Sequence, residues 1–264
     1  MFEQFIKERQ YLQNVSPRTI EWYRESFKWL VEPQPKQSDL KAFVIRMREK
    51  GLKASSCNNR IRAVNAYLQW LESDLRVPQL KEEQRVLPTF NVEDIQKIAA
   101  WKPKDYCGRR LHTLVLALAD TGCRIDELLS LRWTEVDFNN LLVTITGKGG
   151  KQRKVPFSFA LRKHLCRFKH EHQLVFATRQ GKKLGRRDVL RDVKKLCTKL
   201  GVRAPERTLH SFRHTFAINY LRRGGNEFYL QRCLGHSSLD MTKRYCAVLT
   251  EDLSAIHEKI SLLA

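Results

Sequence analysis

Residues 141–157 read LLVTITGKGGKQRKVPF. An apolar run rich in β-branched residues, 141–146, and a second strand-like segment, 153–157, flank the glycine-rich turn 147–151. This pattern is typical of a β-hairpin, because glycine supplies the backbone angles that a tight turn needs. On both sides of the hairpin the apolar residues have helical spacing instead. We therefore predict a mainly α domain that contains a small β-hairpin or sheet, an α+β arrangement.

The turn of the hairpin carries Lys148 between glycines. A glycine-rich turn with a lysine also occurs in nucleotide-binding P-loops, but the G-x-x-x-x-G-K-[ST] spacing is absent and no helix follows at once. Nucleotide binding is therefore not predicted. A flexible basic turn without a chemical role remains the alternative at this point.

The first part of the chain predicts four helices and no strand over residues 2–75. The second helix begins at Ser16-Pro17, where serine can cap the helix and proline needs no hydrogen-bond acceptor. The third helix ends at Lys50-Gly51, with glycine just past the last turn. We predict an all-α bundle over residues 1–75.

A charged stretch follows the bundle over residues 76–89 and contains Pro78 and Pro88. Charged, proline-bounded segments favour extended linkers. The second domain is predicted over residues 90–264. Its later helices are predicted at 185–200, 211–223, 226–234 and, as a short amphipathic tail, at 250–262.

The composition limits the class of partner. The 264 residues include 49 Lys and Arg against 28 Asp and Glu, which gives a net charge of +21. A charge of this size indicates a polyanion, nucleic acid first and an anionic membrane surface second. Seven cysteines without a C-x-x-C pair are typical of a reducing compartment. With no signal peptide and no apolar run of membrane-spanning length, we predict a cytoplasmic, nucleoid-associated protein.

Residues suited to chemistry on a phosphodiester recur near the end of the chain. Displacement at phosphorus builds negative charge on the non-bridging oxygens, which two arginines can grip; Arg124 and Arg213 are the candidates. Tyr245 offers a phenol as nucleophile, and phenolate is also a competent leaving group when the bond must be re-formed.

Proton transfer needs further groups. His210 or His236 can accept the phenol proton, since histidine titrates near neutral pH. Lys148 can protonate the leaving 5′ oxygen. No metal and no cofactor enter this scheme.

Each of these residues also has a purely structural interpretation. A single tyrosine such as Tyr245 is more often a packing or surface residue. We interpret His214, one turn after His210, as structural. Zinc binding by His210, His214, Cys233 and His236 is an alternative, but the H-E-x-x-H glutamate and a matching cysteine pair are missing.

Five ordered sequence blocks together resemble the tyrosine recombinase (phage integrase) family. They are Arg124-Ile-Asp-Glu-Leu, Gly147-Lys148-Gly149, His210-x-x-Arg213-His-Thr-Phe-Ala, Leu234-Gly-His236 and Thr242-x-x-Tyr245. The resemblance is strong over residues 90–250 and general over the N-terminal bundle, which it identifies as a core-DNA-binding domain. Cys246-Ala247 departs from the threonine and histidine of many members, which puts only the subgroup in doubt.

The resemblance implies a site-specific DNA recombinase acting through a 3′-phosphotyrosyl intermediate. It implies Tyr245 as nucleophile, Lys148 as general acid and Glu127 as a supporting acidic residue. The same resemblance implies that Arg124 and Arg213 clamp the phosphate, that His210 accepts a proton and that His236 hydrogen-bonds the phosphate.

The resemblance also implies partners. The first partner is double-stranded DNA. The second is the protein itself, as a homo-tetramer on two DNA sites in which the tail helix of each protomer docks on a neighbour. Accessory proteins are a further possible partner. Because the sequence shows no arm-binding module, it is similar to family members of the Xer or transposon-borne kind. Candidate DNA contacts are Lys53, Arg60, Lys151, Arg153, Arg186 and Arg187. A type IB topoisomerase or a non-catalytic DNA-binding regulator remain the alternatives.

Overall fold

The computed structural model describes residues 1–82, 87–147, 150–236, and residues 242 and 245. The chain divides into two compact units, residues 1–85 and 86–264. This division falls inside the stretch 76–89 for which the sequence predicts a linker. The exact limits of the domains stay a prediction.

The first unit is helical throughout its regular structure. Its helices among residues 1–82 are α1 (Phe2–Tyr11), α2 (Pro17–Phe27), α3 (Gln37–Glu49) and α4 (Ala54–Trp70). The hydroxyl oxygen of Ser16 accepts a hydrogen bond from the backbone N–H of Thr19 at 3.3 Å, as a helix cap does. The predicted all-α bundle is confirmed.

Aromatic side chains form the centre of this bundle. Phe5 contacts the rings of Tyr23, Phe27, Tyr67 and Trp70, mostly edge to face. Edge-to-face contacts add to the free energy gained from burying apolar area. One aromatic cluster therefore joins α1, α2 and α4.

Residues that follow α4 are bound to its side. Asn65 exchanges two hydrogen bonds with the backbone of Val77, both at 2.9 Å. Asn58 does the same with Leu80, at 2.8 and 2.7 Å. The beginning of the predicted linker therefore belongs structurally to the first unit.

The second unit surrounds a small antiparallel sheet with helices. Among the described residues its helices are α5 (Val92–Ala100), α6 (Tyr106–Thr121), α7 (Ile125–Leu128), α8 (Phe159–Phe168), α9 (Arg186–Lys199), α10 (Thr208–Arg222) and α11 (Glu227–Leu234). The strands are β1 (Val136–Asp137), β2 (Leu142–Thr146) and β3 (Gln152–Pro156), in the order β1-β2-β3. The mainly α fold with a small sheet is confirmed.

The predicted hairpin consists of β2 and β3. Val143 pairs with Val155, and Thr144 pairs with Lys154. The turn is closed where the N–H of Gly147 donates to the carbonyl of Lys151 at 2.8 Å. Lys148 and Gly149 lie outside the described residues. β1 adds a third, very short strand beside β2.

Helix α10 carries both core and polar residues. Its buried side chains include Phe212, which is fully buried, but also Arg213 and His214. Charged and titratable groups are rarely buried without specific partners. The residues that contact Arg213 and His214 therefore indicate where a functional site lies. Within the part of the chain that the structure describes, no helix is long and apolar enough to span a membrane.

Candidate active site

An open cavity of about 1300 Å³ lies where α7, β3 and the end of α11 meet. Its lining is strongly basic and includes Arg124, Glu127, Lys151, Arg153, Arg232 and His236. Several positive charges around one concave surface raise the local concentration of anions. The cavity is therefore suited to a phosphate-bearing ligand.

Arg124 stands immediately before α7 and is held by Glu127 in the first turn of that helix. Its backbone N–H donates to one carboxylate oxygen of Glu127 at 2.8 Å, and Nη1 donates to the other at 3.0 Å. The Arg124 side chain is 40% exposed, whereas that of Glu127 is 8% exposed. One edge of the guanidinium is thus fixed while the rest faces the cavity.

The Glu127 carboxylate remains ionised although it is buried. Burial alone would raise the pKa of this carboxyl, but hydrogen bonds from Arg153 and Arg124 outweigh it and lower the pKa below its usual value. Its predicted role as a supporting residue therefore has a structural counterpart.

Arg153, a predicted DNA contact, is bonded to other residues of the second unit. Its Nη1 and Nη2 donate to the two carboxylate oxygens of Glu127 at 3.0 and 2.8 Å, and its Nε donates to the carbonyl of Cys233 at 2.8 Å. Strand alternation places Arg153 on the same face as the buried Val155, and its side chain is only 14% exposed. The guanidinium is thus bonded inside the DNA-free protein, and its contact with DNA stays a prediction.

Arg213 is almost completely buried, at 2% exposure. Nη1 donates to the carbonyl of Gly122 at 2.9 Å, and Nη2 donates to the carbonyl of Leu234 at 2.6 Å. Burial first, and the positive charge of Arg124 second, lower the pKa of Arg213 to about 10. The guanidinium is still protonated at neutral pH, and two of its five N–H groups serve the two carbonyls.

Tyr245 is packed beneath α10 and is 4% exposed. Its hydroxyl lies 3.0 Å from Nδ1 of His214, and the ring of His236 lies parallel to its own ring with centroids 6.2 Å apart. Burial, followed by the proximity of His210 and Arg213, lowers the pKa of His214 to about 4. His214 is therefore neutral at physiological pH.

The contact between His214 and Tyr245 was not anticipated from the sequence. His214 was interpreted as structural, because its helical spacing relates it only to His210 and nothing in it points to a tyrosine 31 positions later. Only the way in which the chain folds back onto α10 brings the two side chains together.

Two further histidines complete the surroundings of Tyr245. The rings of His210 and His214 meet edge to face, with centroids 4.6 Å apart. Loss of hydration and the charges of Arg213 and Arg124 lower the pKa of His210, which favours its neutral form. Burial and the same arginines lower the pKa of His236 to about 4, and its Nδ1 lies 2.9 Å from the hydroxyl of Thr242.

The structure thus brings five of the six predicted catalytic residues into one region of the second unit. The sixth, Lys148, lies outside the described residues, as does the predicted tail helix 250–262. Among the described residues, no group of three or more His, Cys, Asp or Glu side chains could hold a metal ion.

The other candidate DNA contacts are distributed over both units. Lys53, Lys151 and Arg187 are exposed. Arg186 is exposed and lies 3.4 Å from a carboxylate oxygen of Asp126. Arg60 is partly buried, where Nη1 donates to the carbonyl of Ser56 and the guanidinium lies 5.8 Å from the ring centre of Trp29. Their contact with DNA stays a prediction.

Comparison with known proteins identifies the family. Residues 85–252 match the phage integrase family. The chain belongs to this family. The match covers most of the second unit, including every predicted catalytic residue, and the resemblance noted in the sequence is confirmed.

Relatives of the family match nearly the whole chain. Tyrosine recombinase XerA of Pyrococcus furiosus is 30% identical over 265 residues, covering 96% of this chain and 91% of that protein. Tyrosine recombinase XerC of Xanthomonas campestris is 26% identical over 281 residues, covering 97% of this chain and 86% of that protein.

A solved structure supports the fold independently. The Tn1549 transposon integrase in complex with transposon right end DNA matches with a TM-score of 0.76 at 20% identity, covering 96% of this chain and 99% of that one. At this level of identity the likeness establishes the shared fold.

Proposed function

We propose that this integrase-family chain is a site-specific recombinase that cuts and rejoins DNA through a 3′-phosphotyrosyl intermediate on Tyr245. Family membership supports the reaction class. One observation carries the assignment to particular residues: the hydroxyl of Tyr245 lies 3.0 Å from a neutral imidazole, in a region that also holds Arg213, His210 and His236.

The two arginines have complementary tasks in this proposal. Arg213 is fixed from behind by two carbonyls, and Arg124 by one carboxylate, so neither has to be ordered when DNA arrives. Preorganised donors stabilise the charge that builds up on the non-bridging oxygens without paying for reorganisation in the transition state. In this proposal the phosphate anion lies between the two positively charged guanidinium groups and offsets their mutual repulsion.

The proton of the phenol passes to a histidine. Attack of the Tyr245 oxygen on phosphorus forms the P–O bond to tyrosine, breaks the P–O5′ bond and releases the phenol proton. His210 is exposed, and its lowered pKa keeps it able to accept that proton at neutral pH. Because Tyr245 is buried in the DNA-free protein, its hydroxyl has to leave His214 before attack.

We assign protonation of the departing O5′ to Lys148 on the hairpin turn. A 5′-bridging phosphorothiolate tests this role, because a thiolate leaves without a proton. Lys148→Ala should form adduct slowly on ordinary DNA and near the wild-type rate on the sulfur-containing DNA. An equal loss on both substrates would exclude Lys148 as the acid.

A nicked suicide substrate tests the nucleophile. Wild-type protein should accumulate a covalent adduct, since the short strand released by cleavage diffuses away and religation is prevented. Tyr245→Phe should form none while still binding the DNA. Tyr229→Phe is the matched control, because Tyr229 is 61% exposed on α11 and should leave adduct formation unchanged. Adduct with Tyr245→Phe would refute the assignment.

The proposed partner is double-stranded DNA gripped by both basic units, with four protomers on two sites and the tail helix 250–262 docked on a neighbour. A recombinase of this kind would work at the nucleoid in the cytoplasm, with or without accessory proteins. Sedimentation of the full chain with one-site DNA, with and without residues 250–262, tests the assembly. Tetramers that form equally well without the tail would refute its role.

A further inference from the structure

Arg153 joins three separate elements of the second unit. It projects from β3, its guanidinium pairs with Glu127 in α7, and its Nε bonds the carbonyl of Cys233 near the end of α11. Two of these elements carry proposed catalytic residues at their ends: Arg124 immediately before α7 and His236 just after α11. We call Arg153 with these two partners the Arg153 junction.

The first arm of the junction fixes Arg124. The two carboxylate oxygens of Glu127 accept hydrogen bonds from the backbone N–H and Nη1 of Arg124. The same two oxygens also accept hydrogen bonds from Nη1 and Nη2 of Arg153. A carboxylate held by a two-point fork has little freedom to rotate. The position of the Arg124 guanidinium therefore depends on a carboxylate whose orientation is set by Arg153.

The second arm fixes the segment that leads to His236. Gly235 ends α11 with φ of +63°, and a Cβ there would lie 3.1 Å from Cδ, Nε and Cζ of Arg153. The arginine side chain thus packs directly on the backbone next to His236. The Nε hydrogen bond to Cys233 holds the same segment at 2.8 Å.

We propose that Arg153 is a positioning residue of the recombinase, one that keeps Arg124 and His236 at a fixed separation on either side of the scissile phosphate. It acts through Glu127 and through the end of α11. Because β3 follows the turn that contains Lys148, the junction also ties the hairpin to the phosphate-binding residues. This inference rests on the proposed function.

Lysine cannot replace arginine in this position. A guanidinium presents a planar fork to Glu127 and a third N–H at an angle to the Cys233 carbonyl, whereas an ammonium is a single point charge. Arg153→Lys should therefore keep the charge and lose the geometry. We expect it to lie between wild type and Arg153→Gln in every measurement below.

A neutral phosphate analogue distinguishes positioning from general damage. A methylphosphonate at the cleavage site lacks the negative charge that Arg124 and Arg213 are proposed to stabilise. The rate at which it is cleaved should therefore depend less on the position of the Arg124 guanidinium. Adduct formation is measured in single turnovers at saturating protein, on suicide DNA with either phosphate or methylphosphonate. Arg153→Gln should lower the rate roughly 10- to 100-fold on phosphate DNA, as a misplaced catalytic group does, and far less on methylphosphonate DNA.

Lys163→Gln is the matched control. It removes the same charge from the second unit, but Lys163 is exposed on α8 and does not line the cavity. It should keep the wild-type ratio of the two rates. If Arg153→Gln lowers both rates equally, or neither, the positioning role is refuted. Glu127→Gln interrupts the same connection from the other end, and it should show the same substrate dependence even if Arg153→Gln does not fold.

A second measurement needs no cleavage and separates this inference from the proposed function. In the DNA-free full chain, NMR titration of the His236 ring should show a higher pKa in Arg153→Gln than in wild type, because a positive charge next to it is gone and Glu127 has lost a partner. Lys163→Gln should leave it unchanged. Absence of a wild-type adduct would refute the recombinase function; an unchanged His236 pKa in Arg153→Gln would refute the junction.

Discussion

Acidification should destabilise the second unit through His214. The pKa of His214 is about 4 in the folded protein, against roughly 6.5 in an unfolded chain. A folded-state pKa below the unfolded value means that protonation favours unfolding. The contribution of neutral His214 to stability is therefore complete above about pH 6.5 and decreases as the pH falls toward about 4.

The size of the effect follows from these two values. The proton difference at this position is close to zero at about pH 8, and at about pH 5 the unfolded chain binds nearly one proton more than the folded protein. The linked free energy is about 2 kcal/mol from His214 alone. Since His214 is only 8% exposed, solvent screens little of it. Other histidines with lowered pKa add to the total loss: His112, His164, His170, His210 and His236.

A non-titrating variant isolates the contribution of His214. His214→Asn places an amide near the position of Nδ1 and cannot be protonated in this range. Guanidinium unfolding of the full chain at about pH 8 and about pH 5 should show a loss smaller by about 2 kcal/mol than in wild type. NMR titration of the wild-type ring measures its pKa directly.

Tyr245→Phe is the informative control for this experiment. It removes the hydroxyl but keeps the ring over His214. Because burial is the largest cause of the lowered pKa, this variant should retain the pH dependence. A His214 ring that titrates near pH 6.5, or a His214→Asn protein that loses as much stability as wild type, would refute the reasoning.

Three further outcomes are expected. Gly122→Ala should cost about 2–4 kcal/mol in denaturant unfolding, because φ is +62° and the new Cβ would lie 2.3 Å from Phe216; an unchanged midpoint would contradict this. Burial raises the pKa of Cys123 to about 11, so at pH 8 iodoacetamide should modify exposed Cys107 and spare Cys123 in mass spectra of the native protein. DNA affinity should fall roughly 1000-fold or more between about 50 and 200 mM salt if six or more phosphates are contacted, and a salt-independent Kd would exclude that grip.

The helices and the hairpin could be predicted from the sequence because their signals are local. Ser16-Pro17 predicted the start of α2, and the glycine-rich turn at 147–151 predicted the pairing of β2 with β3. Both depend on residues within a few positions of one another. The third strand, β1, has only two residues, too few to give a periodic pattern.

The residues of the proposed site could be selected from the sequence, but the contacts among them could not. Arg153 was predicted only as a DNA contact, and the alternation of side chains along β3 places it on the same face as the buried Val155. Its partner Glu127 is 26 positions away. Contacts over such distances depend on tertiary packing, for which one sequence carries no local signal.

The buried setting of Arg213 has a consequence for mutational scans. Its guanidinium connects Gly122, the residue just after α6, to Leu234, the last residue of α11. Replacing it removes the proposed phosphate ligand and, at the same time, leaves two carbonyls in the interior without their donor. An inactive Arg213 variant therefore cannot be counted as evidence for chemistry unless its stability is measured too. Tyr245→Phe, which removes a single oxygen, is the better choice for a cleavage-deficient protein in trapping DNA complexes.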